Sequence, residues 1–399
     1  MDAFYAAVEV RDNPSLAGKP LIIGHKGPRG VVSTCSYEAR RFGVHSAMPS
    51  VTARRLCPGA VWLPGRMQQY ASVSRALRRL FATITPVVEP LSIDEAFLDL
   101  TGIARNLAAG RQAGLALKDA IQAAERITGS VGVSPNKFLA KIASDMDKPD
   151  GLVVLAREDV PRLLWPLPVR RLWGVGPRME ERLLRLSLKT VGELAAIPGP
   201  RLENAIGRRA AVHLKKLAHG QDNRPVVTDS APRSISEERT YARDLHDLDA
   251  IDRAFLARAE GVSRDLRRKG YLARTVTLKV RTGDFTTWTR SHTLSQATDL
   301  TETLVAAARD MFHQRVHLAG RGVRLLGVGA GNLVPRGETQ EDLFPDESLV
   351  RARRLARATD AIRTRYGDAA VTRARLSARP GSDAAEAADD EASSLPAVD

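Results

Sequence analysis

The sequence predicts an α+β protein of several domains, on three observations. The chain has 399 residues, and at roughly 100–200 residues per domain that leaves room for two to four. Segments of helical periodicity alternate with short segments of strand-like alternation. A polar stretch from Gly220 to Ser236, carrying Pro225 and Pro232 and few large apolar residues, separates two such sets and reads as an interdomain linker.

Residues 1–10, MDAFYAAVEV, mix aromatic and small apolar side chains and then meet a turn signal at Arg11-Asp12-Asn13-Pro14. Pro20 to Gly24 predicts a short strand and residues 30–36 another, with Tyr37 to Arg41 starting a short helix. Residues 66–85 predict a helix that is basic on one side, and Val87 to Leu100 a strand hairpin. The Ala-rich run 104–128 is helical, punctuated by Leu107, Leu115, Leu117, Ile121 and Ile127. Leu172-Trp173-Gly174-Val175-Gly176-Pro177 is a turn between helices, and Val191 to Leu194 opens another helix. Beyond the linker, Ile251, Phe255, Val262 and Leu266 mark one helix face. Val276, Leu278 and Val280 alternate with Thr277, Lys279 and Arg281, a strand with one buried face and one polar, basic face. The glycine-rich segment 327–331 lacks the GKS/T of a phosphate loop and a following helix, so it reads as the end of a strand. Past about Ala378 the composition is Ala/Ser/Asp/Glu-rich, and disorder is expected.

The net charge is +14, although the last twenty residues hold six acids and no Lys or Arg. The remaining body is therefore more basic still, and should attract a polyanion, nucleic acid foremost. No run of 18 apolar residues exists, so no membrane-spanning helix and no membrane partner are expected. No signal peptide is visible, and two cysteines cannot build a disulfide framework, so a cytoplasmic protein is expected. Eight scattered histidines and no CxxC argue against zinc.

The sharpest local feature is Ser92-Ile93-Asp94-Glu95-Ala96-Phe97-Leu98-Asp99, two adjacent carboxylates in an otherwise apolar hairpin. Strand neighbours point to opposite faces, and a buried carboxylate is costly unless paired or bound to metal. At a strand end the backbone can turn enough to aim both at hard cations such as Mg²⁺, which take carboxylate and phosphate oxygens together. Taken alone, the pair is more often a solvated turn.

Further blocks follow one another along the chain: Met1-Asp2-Ala3-Phe4-Tyr5, Ser36-Tyr37-Glu38-Ala39-Arg40-Arg41-Phe42-Gly43, the Ser92–Ala96 segment, Gly132-Val133-Ser134-Pro135-Asn136-Lys137, Ala140-Lys141-Ile142-Ala143-Ser144-Asp145 and Lys148-Pro149-Asp150-Gly151. In these blocks and their order the chain resembles the Y-family translesion DNA polymerases, most closely the DNA polymerase IV (DinB) branch, from Met1 to about Val334. The resemblance implies a right-hand architecture. Its ferredoxin-like palm would comprise 1–10 and 67–155, small fingers 11–66, and a helical thumb with a helix-hairpin-helix 156–220. A linker at 221–231, an α/β little finger at 232–335 and a tail at 336–399 would follow. It also implies template-directed, error-prone addition of dNMP to a primer 3′-end by two-metal-ion chemistry, with no room for a proofreading domain.

The resemblance extends to single residues. Asp94 and Glu95 match the catalytic carboxylates that bind two Mg²⁺ ions, and Met1 the position giving a backbone carbonyl to the metal. Tyr5 matches the steric gate against a 2′-hydroxyl, with Phe4 beside it. Tyr37, Arg40 and Lys148 match the triphosphate-binding positions, and Thr34 lies on the same loop. Gly174 and Gly176 would hold a DNA phosphate, and Lys279 and Arg281 would face DNA. Gln340, Asp342, Leu343 and Phe344 look like a sliding-clamp (beta subunit) binding peptide. Primer–template DNA and dNTP are the implied partners, and a monomer the implied state. In one respect the chain departs from the pattern. The family's first motif is a strand ending in Asp-x-Asp; Met1 and Asp2 fill the last two positions, so the first Asp and its strand would lie upstream. A catalytically impaired clamp- and DNA-binding adaptor is therefore the alternative expectation.

Overall fold

The computed structural model describes residues 1–228, 231–338 and 347–377. The chain forms two compact units. The first comprises Met1–Gly24, Val32–Met48 and Ala53–Ser230, the second His25–Val31, Pro49–Thr52 and Ala231–Asp399. The expected clamp-binding residues Gln340, Asp342, Leu343 and Phe344 lie outside the described residues, as does the chain beyond 377. Among the described residues no helix is long and apolar enough to cross a membrane.

The opening segment is a helix, α1 (Phe4–Asp12). A small sheet follows, of β1 (Leu21–Gly24), β2 (Val32–Cys35) and, after α2 (Tyr37–Arg40) and α3 (Ser50–Leu56), β3 (Val61–Leu63). Its order is β2-β1-β3, with β3 parallel and β2 antiparallel to β1. Ile22, Val32, Cys35 and Ala39 close its core. Next come α4 (Met67–Ile84), the hairpin β4 (Val88–Pro90) with β5 (Ala96–Leu98), and α5 (Leu107–Glu125). Asn106 caps α5 by accepting from the Ala109 N–H, an arrangement that satisfies one of the helix's orphan donors. Apolar residues at helical spacing on α4, Tyr70, Val73, Leu77 and Phe81, pack with Leu117 and Ile121 of α5 and with Phe4 and Val8 of α1.

The parallel ladder of β6 (Val131–Val133) and β7 (Leu152–Val154) brackets α6 (Lys137–Met146), which Asn136 caps. The described residues of this region form two two-stranded ladders, β4-β5 and β6-β7. Helices α7 (Pro177–Arg185), α8 (Val191–Ala196), α9 (Gly199–Ile206) and α10 (Arg208–Ala218) then gather around Leu183, Leu194, Leu202 and Leu214. A Thr190–Glu193 capping box starts α8. The expected linker is partly tied down onto this unit. Asp222 accepts from the Phe138 N–H at 3.2 Å, Lys137 donates to the Pro225 carbonyl at 3.1 Å, and Val227 N–H donates to Glu89 at 2.8 Å.

The second unit is a four-stranded antiparallel sheet covered on one face by two helices. Its elements are β8 (Ser234–Leu245), α11 (Leu248–Lys269), β9 (Tyr271–Thr282), β10 (Thr287–Thr298), α12 (Thr301–Arg315) and β11 (Val323–Pro335), in sheet order β10-β9-β11-β8. Val276, Leu278 and Val280 are fully buried against Phe255 of α11 and Phe312 of α12, whose rings meet edge to face at 5.3 Å. Gly270, at φ 75°, ends α11 in the left-handed region that suits glycine. The glycine-rich segment 327–331 lies in the interior of β11, not at a strand end. The expected tail holds a helix, α13 (Glu347–Tyr366), that docks on the helical face. Arg267 pairs with Asp360 at 2.5 Å, Arg363 with Glu260 at 2.8 Å and Arg264 with Asp368 at 2.9 Å.

Helix α6 carries two charged residues of the site described below, Lys141 and Asp145, and Gly132 sets how closely it approaches β6. A Cβ on Gly132 would meet the Ala140 carbonyl oxygen at 2.1 Å and the Ser144 nitrogen at 2.4 Å. Both are backbone atoms, so the whole helix would have to move. Gly132→Ala is expected to destabilise the protein by about 1–3 kcal/mol, read from the urea unfolding midpoint. An unchanged midpoint would mean that α6 shifts freely on the ladder.

Candidate active site

Asp94 and Glu95 sit in the turn that enters β5, and each carboxylate is met by a cation. The N-terminal ammonium donates to the Asp94 carbonyl at 2.9 Å and lies 3.6 Å from its carboxylate, which also accepts from the Ser92 hydroxyl at 2.8 Å. Glu95 pairs with Lys141 at 2.6 Å. The alternation of charge continues along and past α6, with Lys141 3.4 Å from Asp145 and Lys148 2.7 Å from Asp145. Burial alone would raise the Asp145 pKa, but Lys148 and Lys141 outweigh it and hold the carboxyl below its ordinary value. Burial likewise opposes the charge on Lys148, and Asp145, helped by Glu95 and Asp2, raises its pKa. The solvated-turn reading of the Asp-Glu pair is incomplete, since both side chains are partly covered, at 24% and 33% exposure.

Asp94, Glu95, Met1, Lys141 and Lys148 line one cavity of about 860 Å³ whose apolar wall includes Leu117 and Ile121 of α5. Strands β5 and β6 both line it. Each is paired on one side only among the described residues, β5 with β4 and β6 with β7.

Asp2 does not join the pair. It is buried, and its carboxylate accepts from the Ser130 hydroxyl at 2.8 Å and the Asp150 N–H at 2.9 Å. Its own N–H donates to the Thr128 carbonyl at 3.1 Å. Asp2 thus ties the chain start to β6 and to the turn before β7. Among the described residues no three His, Cys, Asp or Glu side chains gather to hold a metal ion. Asp94 and Glu95 are hard oxygen donors of the kind a divalent ion takes, so they fit as two ligands of such a site.

The remaining expected residues within the described chain fall into four places. Tyr5 stacks on Tyr70 at 4.2 Å with the rings 10° from parallel. Tyr70 donates to Glu9 Oε1 at 2.6 Å, and Arg66 Nε donates to the same oxygen at 2.8 Å. Burial, followed by the nearby charge of Asp94, raises the Tyr5 pKa. Phe4 is buried in the core with Val8 and Tyr70. On the small sheet, Thr34 is half-buried in β2 and pairs with Ile23. The Arg40 guanidinium lies 4.7 Å over the Tyr37 ring. The Tyr37 hydroxyl is buried with no hydrogen-bond partner. Its pKa is raised by burial first and then by Asp2 and Asp145, while Arg40 opposes them. An orphaned hydroxyl donor beside an arginine suits an anionic ligand oxygen. Gly174, at φ 91°, and Gly176 precede α7, and a Cβ on either would meet nothing within 4 Å, so their backbone is open to close approach.

In the second unit Lys279 and Arg281 project from the open face of the sheet. Across that face the rows read Thr289-Lys279-Gly327-Glu238, Ser291-Thr277-Gly329-Ser236 and Thr293-Thr275-Gly331-Ser234. Lys279 reaches Glu238 at 2.6 Å across Gly327, and Arg281 donates to Thr287 at 2.8 Å. The glycine run is therefore the centre of a hydroxyl-lined surface. Lys141, Asp145, Ser92, Ser130 and the Tyr70–Glu9–Arg66 group were not singled out from sequence. The i, i+4 and i, i+3 spacings of Lys141, Asp145 and Lys148 were the one local signal available.

The impB/mucB/samB family profile matches residues 1–145, its C-terminal domain matches 232–343, and the IMS family HHH motif matches 157–186. A DNA polymerase IV of Desulfatibacillum aliphaticivorans is 41% identical over 94% of this chain and 95% of its own. One from Streptomyces coelicolor is 45% identical over 88% of this chain and 73% of its own. Among solved structures, a Dbh–Dpo4–Dbh chimera of Y-family DNA polymerases matches with a TM-score of 0.74 and 28% identity, covering 84% of this chain and 97% of that one. The chain is thus a DNA-directed DNA polymerase. The chain belongs to the Y-family DNA polymerases, in the DNA polymerase IV (DinB) branch. Its function is translesion DNA synthesis, with primer–template DNA and dNTP as substrates and divalent metal ions as cofactors. The adaptor alternative is not favoured.

Replacing Asp2 removes the acceptor of two donors in a covered site. Asp2→Ala is expected to cost about 1–3 kcal/mol of stability, measured by chemical denaturation. Full stability with abolished synthesis would instead make Asp2 a ligand.

Proposed function

We propose that Asp94 and Glu95 hold two Mg²⁺ ions for nucleotidyl transfer. The observation that carries this reading is the adjacent carboxylate pair at the cavity, neutralised by two displaceable cations. Mg²⁺ bound there supplies ionisation of the primer 3′-hydroxyl and neutralises charge on the triphosphate. The 3′-oxygen bonds to the α-phosphorus, the bond to the bridging oxygen breaks, and pyrophosphate leaves. Tyr37, Arg40 and Lys148 bind the triphosphate, with Thr34 beside them, and the unpaired Tyr37 hydroxyl donates to a phosphate oxygen. Tyr5 excludes a 2′-hydroxyl, its ring fixed by Tyr70 and supported by Phe4. The backbone at Gly174 and Gly176 takes a DNA phosphate, and Lys279 and Arg281 face the duplex.

The region assignments follow the same reading: palm 1–10 and 67–155, fingers 11–66, thumb 156–220, linker 221–231, little finger 232–335 and tail 336–399. The unused edges of β5 and β6 flank a cavity suited to one extended strand. A strand N-terminal to Met1, carrying an Asp two residues before Asp2, fills it. The Met1 nitrogen becomes an uncharged amide there, and its carbonyl joins the metal ligands. The protein acts as a cytoplasmic monomer without proofreading and meets the sliding clamp through Gln340, Asp342, Leu343 and Phe344.

Primer extension with Mg²⁺ tests the centre of this reading. A chain extended upstream by that strand should extend primers far faster than one beginning at Met1, and equal rates would remove the strand from the site. Asp94→Ala or Glu95→Ala in the extended chain should abolish extension and spare DNA binding; lost binding would make them structural. Tyr5→Ala should raise ribonucleotide incorporation, and an unchanged sugar preference would remove the gate. Replacing Leu343 and Phe344 by Ala should weaken clamp-stimulated synthesis only, whereas undiminished stimulation would move the clamp contact elsewhere.

A further inference from the structure

The second unit holds a cavity of about 420 Å³ where α13 meets the last turns of α11 and the end of β11. Six guanidinium groups line it, those of Arg264, Arg267, Arg268, Arg336, Arg357 and Arg363. Two carboxylates accompany them, Asp360 and Asp368, and both are engaged. Asp360 takes two parallel bonds from Arg267, at 2.5 and 3.0 Å, and Asp368 pairs with Arg264 at 2.9 Å. Arg268 pairs with Asp265, Arg336 with Asp299 and Arg363 with Glu260.

Positive charge is left over. Arg357 has no ion-pair partner among the described residues. One helical turn before it, the Arg353 Nε is buried without an acceptor. Burial, together with the charges of Arg357, Arg353 and Arg267, holds the Arg336 pKa below its ordinary value. Like charges are thus crowded around a hollow that their carboxylate partners do not fill. A guanidinium presents a planar fork that matches phosphate oxygens in pairs. The hollow has room for a compact chain of phosphoryl groups and none for a duplex.

We propose that this cavity binds a compact polyphosphate anion, either pyrophosphate or the triphosphate of a nucleotide. It is separate from the nucleotidyl-transfer site and uses no metal. Its occupant neutralises the arginine cluster and holds α13 on α11.

The test is calorimetric titration of the full chain with pyrophosphate in EDTA without DNA, followed by dATP and by a single-stranded oligonucleotide. Saturable pyrophosphate binding is expected, weakened at least about tenfold by Arg357→Ala and kept by Arg40→Ala. Primer extension by Arg357→Ala should be unchanged, and its thermal melt should no longer rise with pyrophosphate as that of the parent does. Equal affinity for dATP identifies the phosphates alone as the recognised group, and tighter dATP binding identifies a nucleotide; either supports the site. Four results would overturn it: no saturable binding, the same affinity in Arg357→Ala, loss in Arg40→Ala alone, or an oligonucleotide rather than pyrophosphate as the ligand whose binding Arg357→Ala loses.

Discussion

Two carboxylates on neighbouring residues repel each other, and much of the first unit is arranged around that repulsion. Cations face both, the chain's own ammonium at Asp94 and Lys141 at Glu95. Lys141 is held in turn by Asp145, and Asp145 by Lys148. The chain of alternating charge depends on α6 lying tight against β6, which a glycine permits. A small steric fact in a ladder therefore governs the electrostatics of a site in the neighbouring hairpin.

Much of this was legible from the sequence. The Ser92–Asp99 segment declared its carboxylate pair, the alternation of 276–281 declared a one-sided sheet, and the ordered blocks declared the family. Other features depended on partners far along the chain. Asp2 meets Ser130 and the Asp150 N–H, 128 and 148 residues away, and no spacing rule announces such a bond. The same holds for Tyr70 with Glu9. The glycine run 327–331 misled because glycine usually ends regular structure, whereas here three of its members lie on the open side of a central strand. The docking of α13 was invisible for a different reason. Its ion pairs are made by arginines that, read singly, look like any solvated helix face.

The two units use charge differently. The first concentrates it, with acids and bases in contact beside a cavity. The second keeps its open sheet face mostly neutral and places its densest arginine cluster on the opposite, helical side. Net positive charge alone therefore does not mark where a polyanion sits. Geometry and the state of pairing of each base decide that.

The row of glycines along β11 has a mechanical consequence. Past the Lys279–Glu238 pair that crosses Gly327, Gly329 and Gly331 leave a short smooth stretch, edged by threonine and serine hydroxyls at the regular spacing of the strands. Hydroxyls rotate, donate or accept with equal ease, and prefer no particular register. A ligand moving across such a surface exchanges each contact for an equivalent one, and meets neither a knob to climb nor a socket to leave. A surface of this kind grips weakly at every point and resists displacement at none.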